Sequence, residues 1–488
     1  MQDPAESLAQ DSPSQVPLIV DLDGTLCRTD TLHEALLGLL ARRPDLVLQL
    51  PFWLRGGKAA FKAKVADHHL LDPALLPYDG AVLALIAEAR AQGRKTALVS
   101  ASDNRQVQAV AAHLGSFDHA IGTGTDAVGQ QVNLAGQGKA DYLVAQYGQG
   151  GFDYIGDSRA DIPVWKAAGR AHGVRLSAAT RKAAEAEGLT LPATEPDHPA
   201  RWRALIRACR PHQWAKNILI LLPVVAGQQF AALPAALLAL LCFSLAASAI
   251  YIINDLVDLP ADRMHPRKRN RPFASGQASA KDGLMLSAGL LAVAVGLALF
   301  LPLAFLAVLL VYLASTSAYS FLLKRKLMVD VIALAALYTL RVVAGAMATG
   351  IVLSPWLLVF SMFLFFALAT IKRQAELEDM ASRGVTSSSG RNMLTADLPL
   401  LQAMSVSAAQ SAVLVFALYS QDPQVQTHFS QPNLLLLICP VLFLWLGRMQ
   451  LLTRRGYMTD DPIVFTFKDR VGLLCGALTF LIFALSAL

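Results

Sequence analysis

Four oxygen-bearing side chains fall at the end of one apolar run: Asn254, Asp255, Asp258 and Asp262. Asn254, Asp258 and Asp262 are spaced by four, so they line one face of a helix, and Asp255 joins from the adjacent face. Ionisable groups at a membrane boundary are costly and usually functional. Three carboxylates this close repel one another unless a cation stands between them. A hard divalent cation such as Mg²⁺ takes oxygen ligands of this kind and brings phosphate oxygens with it. The chain continues with Arg263, His265, Arg267, Lys268, Arg269 and Arg271. A carboxylate–metal site beside a basic loop suits a phosphorylated or diphosphate substrate. The plainer alternative, a solvated loop between helices, leaves the regular carboxylate spacing unexplained.

A second constellation lies near the start. Asp21-Leu22-Asp23-Gly24-Thr25 follows the short apolar run Leu18-Ile19-Val20. One aspartate can attack phosphorus, and a second two residues on can give or take the proton. Gly24 permits a tight turn. Three further elements follow in order: Ser100 in Val99-Ser100-Ala101-Ser102, Lys139 in Gly138-Lys139-Ala140, and Gly156-Asp157-Ser158-Arg159-Ala160-Asp161. Taken singly, Ser100 reads equally as a helix N-cap and Lys139 as a surface charge. His68, His69, Lys58, Lys62 and Lys64 read better as a solvated helix face than as substrate ligands.

The elements that must position these groups fall into two kinds. Hydrophobic residues make up 54% of the 488, but unevenly. Up to about residue 199 the chain alternates short apolar strands (18–20, 96–99, 152–155) with helical stretches (80–92, 104–114), the pattern of a parallel, doubly wound sheet. Such sheets bind ligands at the carboxyl ends of their strands, where Asp21, Ser100 and Asp157 would lie. Residues 31–76 are helical in pattern and read as a small cap on a domain spanning 16–187. A tail (1–15) precedes it and a proline-containing linker (188–200) follows. Residues 201–216 mix Trp202, Ile206 and Trp214 with arginines and suit a helix lying at a membrane surface.

From 217 to 488 about nine segments are apolar enough to cross a bilayer: 217–230, 234–254, 284–301, 303–322, 329–349, 355–371, 399–419, 433–447 and 471–488. Lys and Arg concentrate in alternate loops, so those loops, the acidic motif and the N-terminal domain are expected on the cytoplasmic side and the C-terminus outside. No basic stretch followed by an apolar one opens the chain, so no signal peptide is expected. The net charge of +6 gives no reason to expect a nucleic-acid partner. Cys27, Cys209, Cys242, Cys439 and Cys475 show neither metal-ligand nor disulfide spacing.

The four N-terminal elements together resemble the motifs of the haloacid dehalogenase (HAD) superfamily, phosphatase branch, over residues 16–186. The resemblance implies Asp21 as nucleophile and Asp23 as general acid and base. It implies that Ser100 and Lys139 hold the phosphoryl group, and that Asp157, with Asp161, holds Mg²⁺ alongside Asp21.

The apolar segments with the motif at 254–262 resemble the UbiA superfamily of intramembrane prenyltransferases, which hold a diphosphate through Mg²⁺ on two acidic motifs. The first motif is present. In place of the second stand Tyr319, Lys324, Arg325 and Lys326, with Asp330 alone acidic. That departure, with Arg210-Pro211-His212-Gln213-Trp214-Ala215-Lys216-Asn217 and Lys372-Arg373-Gln374-Ala375-Glu376-Leu377, resembles the decaprenyl-phosphate phosphoribosyltransferase branch over 207–488. The resemblance implies phosphoribosyl diphosphate (PRPP) as donor and a polyprenyl phosphate as acceptor. Asn254, Asp255, Asp258 and Asp262 would carry Mg²⁺, with Asp258 essential for transfer. Lys216, Arg263, Arg267, Lys268, Arg269, Arg271, Tyr319, Lys324, Arg325, Asp330 and Lys372 would bind substrate. Arg341, midway along a span, would hold the lipid phosphate or pair with a neighbouring carbonyl.

The expectation is therefore a two-domain chain: an α/β doubly wound phosphatase-like domain with a helical cap, then an all-α membrane bundle, with both sites using Mg²⁺. Rival readings are a prenyltransferase acting on an aromatic or small acceptor, an ion pump, and a silent HAD domain. A pump would insert the domain between helices and keep a lysine after the nucleophile, where this chain has Leu22-Asp23.

Overall fold

The structure is a computed structural model that describes residues 16–125, 131–192, 199–386, 392–458 and 461–488. The expected tail 1–15 and residues 193–198 of the expected linker lie outside the described residues. The chain forms two compact units. One runs to Ala208 and includes Ile252–Met285; the other comprises Cys209–Tyr251 and Leu286–Leu488. The loop carrying the acidic motif therefore packs with the sheet-containing unit.

The first unit is built on six strands: β1 (Leu18–Val20), β2 (Thr96–Asp103), β3 (His119–Thr125), β4 (Gln131–Val132), β5 (Asp153–Gly156) and β6 (Arg170–Gly173). Their order is β4-β3-β2-β1-β5-β6, parallel except for β4. Leu18, Ile19 and Val20 are all buried, as expected of a central strand covered on both faces. Val20 pairs with Leu98 on one side and Ile155 on the other, so three strand ends open at one edge of the sheet. Asp79 and Asp103 cap the helices Gly80–Ala91 and Asn104–Leu114 by accepting backbone N–H bonds, and Gly115 closes the second in a left-handed conformation. The 31–76 region is helical as expected, with helices Thr31–Arg42, Leu50–Arg55 and Gly57–His68.

The second unit is helical. Across the chain, eight described helices are long and apolar enough to cross a membrane: Phe230–Val257, Ala280–Ala298, Leu303–Arg325, Val329–Thr349, Pro355–Ser382, Thr395–Ser420, Pro432–Arg454 and Arg470–Ala487. The expected helix 201–216 and the expected segment 217–230 are divided otherwise: an α-helix covers Pro199–Ala208 and ends there. Pro211–Leu221 is a 3₁₀ helix and Leu222–Ala226 a short α-helix. Prolines near the start of each piece, Pro211 and Pro223, suit a broken segment. This segment packs tightly on Val329–Thr349: a Cβ added to Gly345 would lie 2.0 Å from the Ile220 carbonyl oxygen. Only a small residue permits that approach.

Candidate active sites

Three clusters carry the chemistry. In the first unit, Asp21 ends β1 and its N–H donates to the Ile155 carbonyl at 3.1 Å. Lys139, on the helix Gln137–Tyr147, donates to Asp21 Oδ1 at 3.0 Å, to the Tyr154 hydroxyl at 2.8 Å and to Asp161 Oδ1 at 3.4 Å. Asp161 Oδ1 also accepts from Tyr154 at 2.7 Å. Its other oxygen accepts from Ser158 Oγ at 2.9 Å and from the Ser158 and Asp157 amides.

Asp21, Asp157 and Asp161 each bring a carboxylate oxygen within 4.8 Å of the others, alone in doing so among the described residues. Burial, with Asp161 and Asp21 as neighbours, pushes the Asp157 carboxyl well up. Burial also raises Asp21 against the pull of Lys139. It raises Asp161 too, but Lys139, Tyr154 and Ser158 more than offset it, so Asp161 stays below its ordinary value. Burial opposes the charge on Lys139, yet Asp21 and Asp161 hold it charged. A cation between two close carboxylates would relieve the repulsion that keeps them from ionising together. Asp21 and Asp157 fit Mg²⁺, while Asp161 is largely spent on Lys139, Tyr154 and Ser158.

Asp23 accepts from the Thr31 amide at 2.8 Å and from the Ser102 hydroxyl, which also shares a 2.9 Å bond with Thr31 Oγ1. Burial and neighbouring Asp30 push its carboxyl up to about 6, suited to giving a proton near neutrality. Ser100, buried on β2, accepts from the Ser102 amide at 3.3 Å. Gly24 has φ +75°, and a Cβ there would lie 2.1 Å from the Asp157 carboxylate. A cleft is lined by Ala35, Lys62, Val65 and His69 together with Thr31 and Ser102, the two hydrogen-bond partners of Asp23. Lys62, read as a solvated charge, instead donates to the Ala101 carbonyl at 2.6 Å. Sequence reasoning also missed Asp79, whose buried carboxylate pairs with Arg28 at 3.0 Å and with Arg175. Arg175 in turn donates to the Gly24 and Thr25 carbonyls and braces the turn that follows Asp21.

The acidic loop is the second cluster. Arg271 Nη1 bridges Asp255 at 3.0 Å and Asp262 at 2.7 Å. Burial raises the Asp262 carboxyl, and Arg271 opposes it. The Asp258 amide donates to the Asn254 carbonyl and the Asp262 amide to the Asp258 carbonyl, so the helical spacing persists. Among the described residues no three of these carboxylates come within 4.8 Å of one another; Asp255 and Asp262 meet instead on Arg271 Nη1. Arg263, expected at the substrate, is bound instead. It donates to both oxygens of Glu34 at 2.7 and 2.6 Å and to the Ala274 carbonyl at 3.0 Å. Glu34 lies in the helix Thr31–Arg42, and no sequence signal singled it out. Arg267, Lys268 and Arg269 are exposed.

The third cluster is in the second unit. Buried Asp461 caps the short helix Pro462–Thr466. Its Oδ2 takes the Lys216 ammonium at 2.8 Å, Lys372 at 3.1 Å and the Tyr338 hydroxyl at 2.6 Å. Burial would raise this carboxyl, but Lys216 and Lys372 hold it well below the carboxylate range. Asp461 was not anticipated. Arg373 donates to Glu376 at 2.7 Å and to Tyr319. Its Nε lies 2.8 Å from Asp330 Oδ2 without hydrogen-bond geometry, a charge contact between two buried groups. Arg341 makes the neighbour contacts that were one of the two roles anticipated for it. It donates to Asn217 at 2.9 Å, to the Leu337 carbonyl and to Tyr312 at 3.3 Å, and its guanidinium lies over the Tyr312 and Tyr338 rings. Lys324 is half-buried and Arg325 exposed.

Two family profiles match: the UbiA prenyltransferase family over residues 218–485 and haloacid dehalogenase-like hydrolase over 18–166. An uncharacterized protein, y4nM, of Sinorhizobium fredii is 38% identical over 475 residues, covering 95% of this chain and 90% of its own length. The decaprenyl-phosphate phosphoribosyltransferase of Mycobacterium tuberculosis is 36% identical over 180 residues. That match covers 36% of this chain and 60% of that protein, so the chain spans less than two thirds of it. A solved UbiA homolog from Archaeoglobus fulgidus bound to GPP and Mg²⁺ is 18% identical, with a TM-score of 0.45, covering 58% of this chain and 99% of that one. The chain belongs to the UbiA prenyltransferase family and carries an N-terminal HAD-like hydrolase domain.

Proposed function

We propose that the chain transfers 5-phosphoribose from PRPP to a polyprenyl phosphate, and that its HAD-like domain then hydrolyses the 5-phosphate of the product. The observation that carries the first half is a set of cations held among acidic and hydroxyl groups in the second unit, Lys216 and Arg373 buried and Lys372 half-buried. Lys216, Lys372 and Arg373 lie among Asp461, Asp330 and Tyr319, a composition suited to phosphate oxygens. The relatedness to decaprenyl-phosphate phosphoribosyltransferases points the same way.

In this reading an oxygen of the lipid phosphate attacks the anomeric carbon, and diphosphate departs. Bound Mg²⁺ would offset charge on the departing diphosphate, held by Asp255, Asp258 and Asp262 with Asn254. The exposed Arg267, Lys268 and Arg269 would meet phosphate arriving from water. Because Arg271 already bridges Asp255 and Asp262, binding a metal–diphosphate requires that bridge to open.

The hydrolase half follows from the first cluster. A carboxylate oxygen of Asp21 attacks phosphorus while Asp23 protonates the departing ribosyl oxygen. Asp23, now ionised, takes a proton from water, whose oxygen attacks the aspartyl phosphate and releases Asp21 and inorganic phosphate. Lys139 holds Asp21 in line throughout, and Mg²⁺ on Asp21 and Asp157 would supply further positive charge to the phosphoryl oxygens. We place both activities on the cytoplasmic side, from the distribution of basic loops.

The test is a donor competition. Purified protein with Mg²⁺ and radiolabelled polyprenyl phosphate should form a new lipid with PRPP. Product formed with a prenyl diphosphate and a small acceptor, and none with PRPP, would replace this reading with the ordinary prenyltransferase one.

A further inference from the structure

The helices at 31–76 end in a surface that a water-facing domain would not keep. Leu48 is 76% exposed and Phe52 64%, with Val47 at 50% and Leu54 at 54%. The helix Leu50–Arg55 buries none of its residues. Four large apolar side chains exposed within eight positions form a patch of the kind that marks a protein or membrane contact. Arg42, Arg43, Arg55 and Lys58 surround it, against Asp45 alone. Asp45 is paired with Arg43 at 2.7 Å, and the Arg55 guanidinium lies over the Phe52 ring. An apolar centre with an aromatic and a basic rim has the composition of a segment seated in the headgroup region of an anionic bilayer.

The same unit supplies an independent reason to choose a bilayer as the occupant. The helix Thr31–Arg42 is fixed by Glu34 to Arg263, with the side chains 3% and 8% exposed. Arg263 is on the loop joining the spanning helices Phe230–Val257 and Ala280–Ala298, six positions past the end of the first. From Glu34 to Leu48 the chain runs at most about 25 Å at helical rises. The patch is thus tethered within reach of a membrane boundary by a buried bidentate ion pair.

We infer that Val47–Leu54 is a membrane-surface anchor, dipping Val47, Leu48, Phe52 and Leu54 among the lipids while Arg42, Arg43, Arg55 and Lys58 meet anionic headgroups. The helix Gly57–His68 follows directly and, with Lys62 and Val65, lines the cleft that Asp23's partners Thr31 and Ser102 also line. An anchored cap holds that cleft at the lipid surface, where an amphiphilic phosphate monoester presents its headgroup. The anchor does not depend on which ester is hydrolysed, so it can fail or stand apart from the function proposed above.

The experiment uses the wild-type full-length chain in nanodiscs of phosphatidylcholine and phosphatidylglycerol doped with a phospholipid carrying a diazirine near the glycerol end of its acyl chain. Adducts after illumination are mapped by mass spectrometry. Peptides containing 47–54 should carry adducts at a frequency comparable to the ends of the spanning helices. They should exceed helix Ala178–Ala186 of the same domain by roughly tenfold, the contrast expected between inserted and solvated side chains. Omitting phosphatidylglycerol should lower the yield at 47–54 and leave the spanning helices unchanged. The double variant Leu48→Asp, Phe52→Asp should lose the adducts at 47–54 alone. Adducts confined to spanning helices in the wild type would overturn the inference. So would protection of 47–54 by a second copy of the chain, seen as protein–protein cross-links in place of lipid adducts.

Discussion

Each acidic side chain proposed to act at the phosphatase-like centre is held by a partner that bears on its charge. In the proposed hydrolysis Asp23 would be the proton donor, a role suited to a carboxyl that burial and Asp30 push up to about 6. Asp23→Asn should therefore slow hydrolysis of alkyl phosphates by about 10²–10⁴-fold, the usual worth of general acid catalysis. It should spare p-nitrophenyl phosphate, whose leaving group needs no proton, in the first half-reaction measured by rapid quench. Equal loss on both esters would show that Asp23 does something else. Gly24 is fixed by backbone and space together: its φ is positive and Asp157 fills the position of a Cβ. Gly24→Ala should strain the turn by roughly 1–3 kcal/mol and raise the Mg²⁺ concentration for half-maximal hydrolysis, because Asp157 must move. An unchanged Mg²⁺ titration would contradict this. These residues were legible in the sequence because strand-end motifs are local. Asp79, Arg175 and Tyr154 were not, since their work is to brace other residues across the fold: the Arg175–Asp79 contact joins positions 96 apart.

Among the elements, Asp461 joins four: the segment Pro211–Leu221 through Lys216, Val329–Thr349 through Tyr338, Pro355–Ser382 through Lys372, and its own helix Pro462–Thr466. Removing one partner of a buried ion pair leaves the others uncompensated, at a cost of roughly 3–5 kcal/mol. Asp461→Ala should lower the thermal midpoint in detergent, and adding Lys216→Met should restore part of it; an additive double variant would mean that the two side chains are not coupled. The close approach of Gly345 to Ile220 gives a second check. Gly345→Ala should cost roughly 1–3 kcal/mol through overpacking, whereas Gly289→Ala, with open space around its Cβ, should cost nothing measurable in the same melt. Apolar run length made the long helices readable. It could not show that the first segment would be a broken 3₁₀ piece, because that form depends on packing against Gly345. Strand β3 and the edge strand β6 were also unread, since His119-Ala120-Ile121-Gly122-Thr123-Gly124-Thr125 and Arg170-Ala171-His172-Gly173 lack the apolar runs that marked β1, β2 and β5.

At the scale of the whole molecule, the chain joins a UbiA bundle to a HAD-like hydrolase, and the acidic loop of the bundle folds with the hydrolase part. Composition foretold both kinds of domain. It did not foretell the pair Glu34–Arg263, 229 positions apart in the chain, because neither residue stands out from its neighbours. The alternating basic loops lead to a topology prediction: a reporter fused after Leu488 reads as non-cytoplasmic and one inserted near Gly384 as cytoplasmic, and finding both on one side would break the nine-crossing arrangement. The central claim is that transfer and hydrolysis act in sequence on one lipid. It is tested most directly by following lipid product and inorganic phosphate together, with PRPP, polyprenyl phosphate and Mg²⁺ and with diphosphate counted separately. Wild type should release one phosphate for each polyprenyl-phosphoryl ribose formed, and Asp21→Asn should accumulate the 5-phosphorylated lipid at an unchanged transfer rate. A wild-type product that keeps its 5-phosphate under turnover, or no PRPP-dependent lipid at all, would contradict the account.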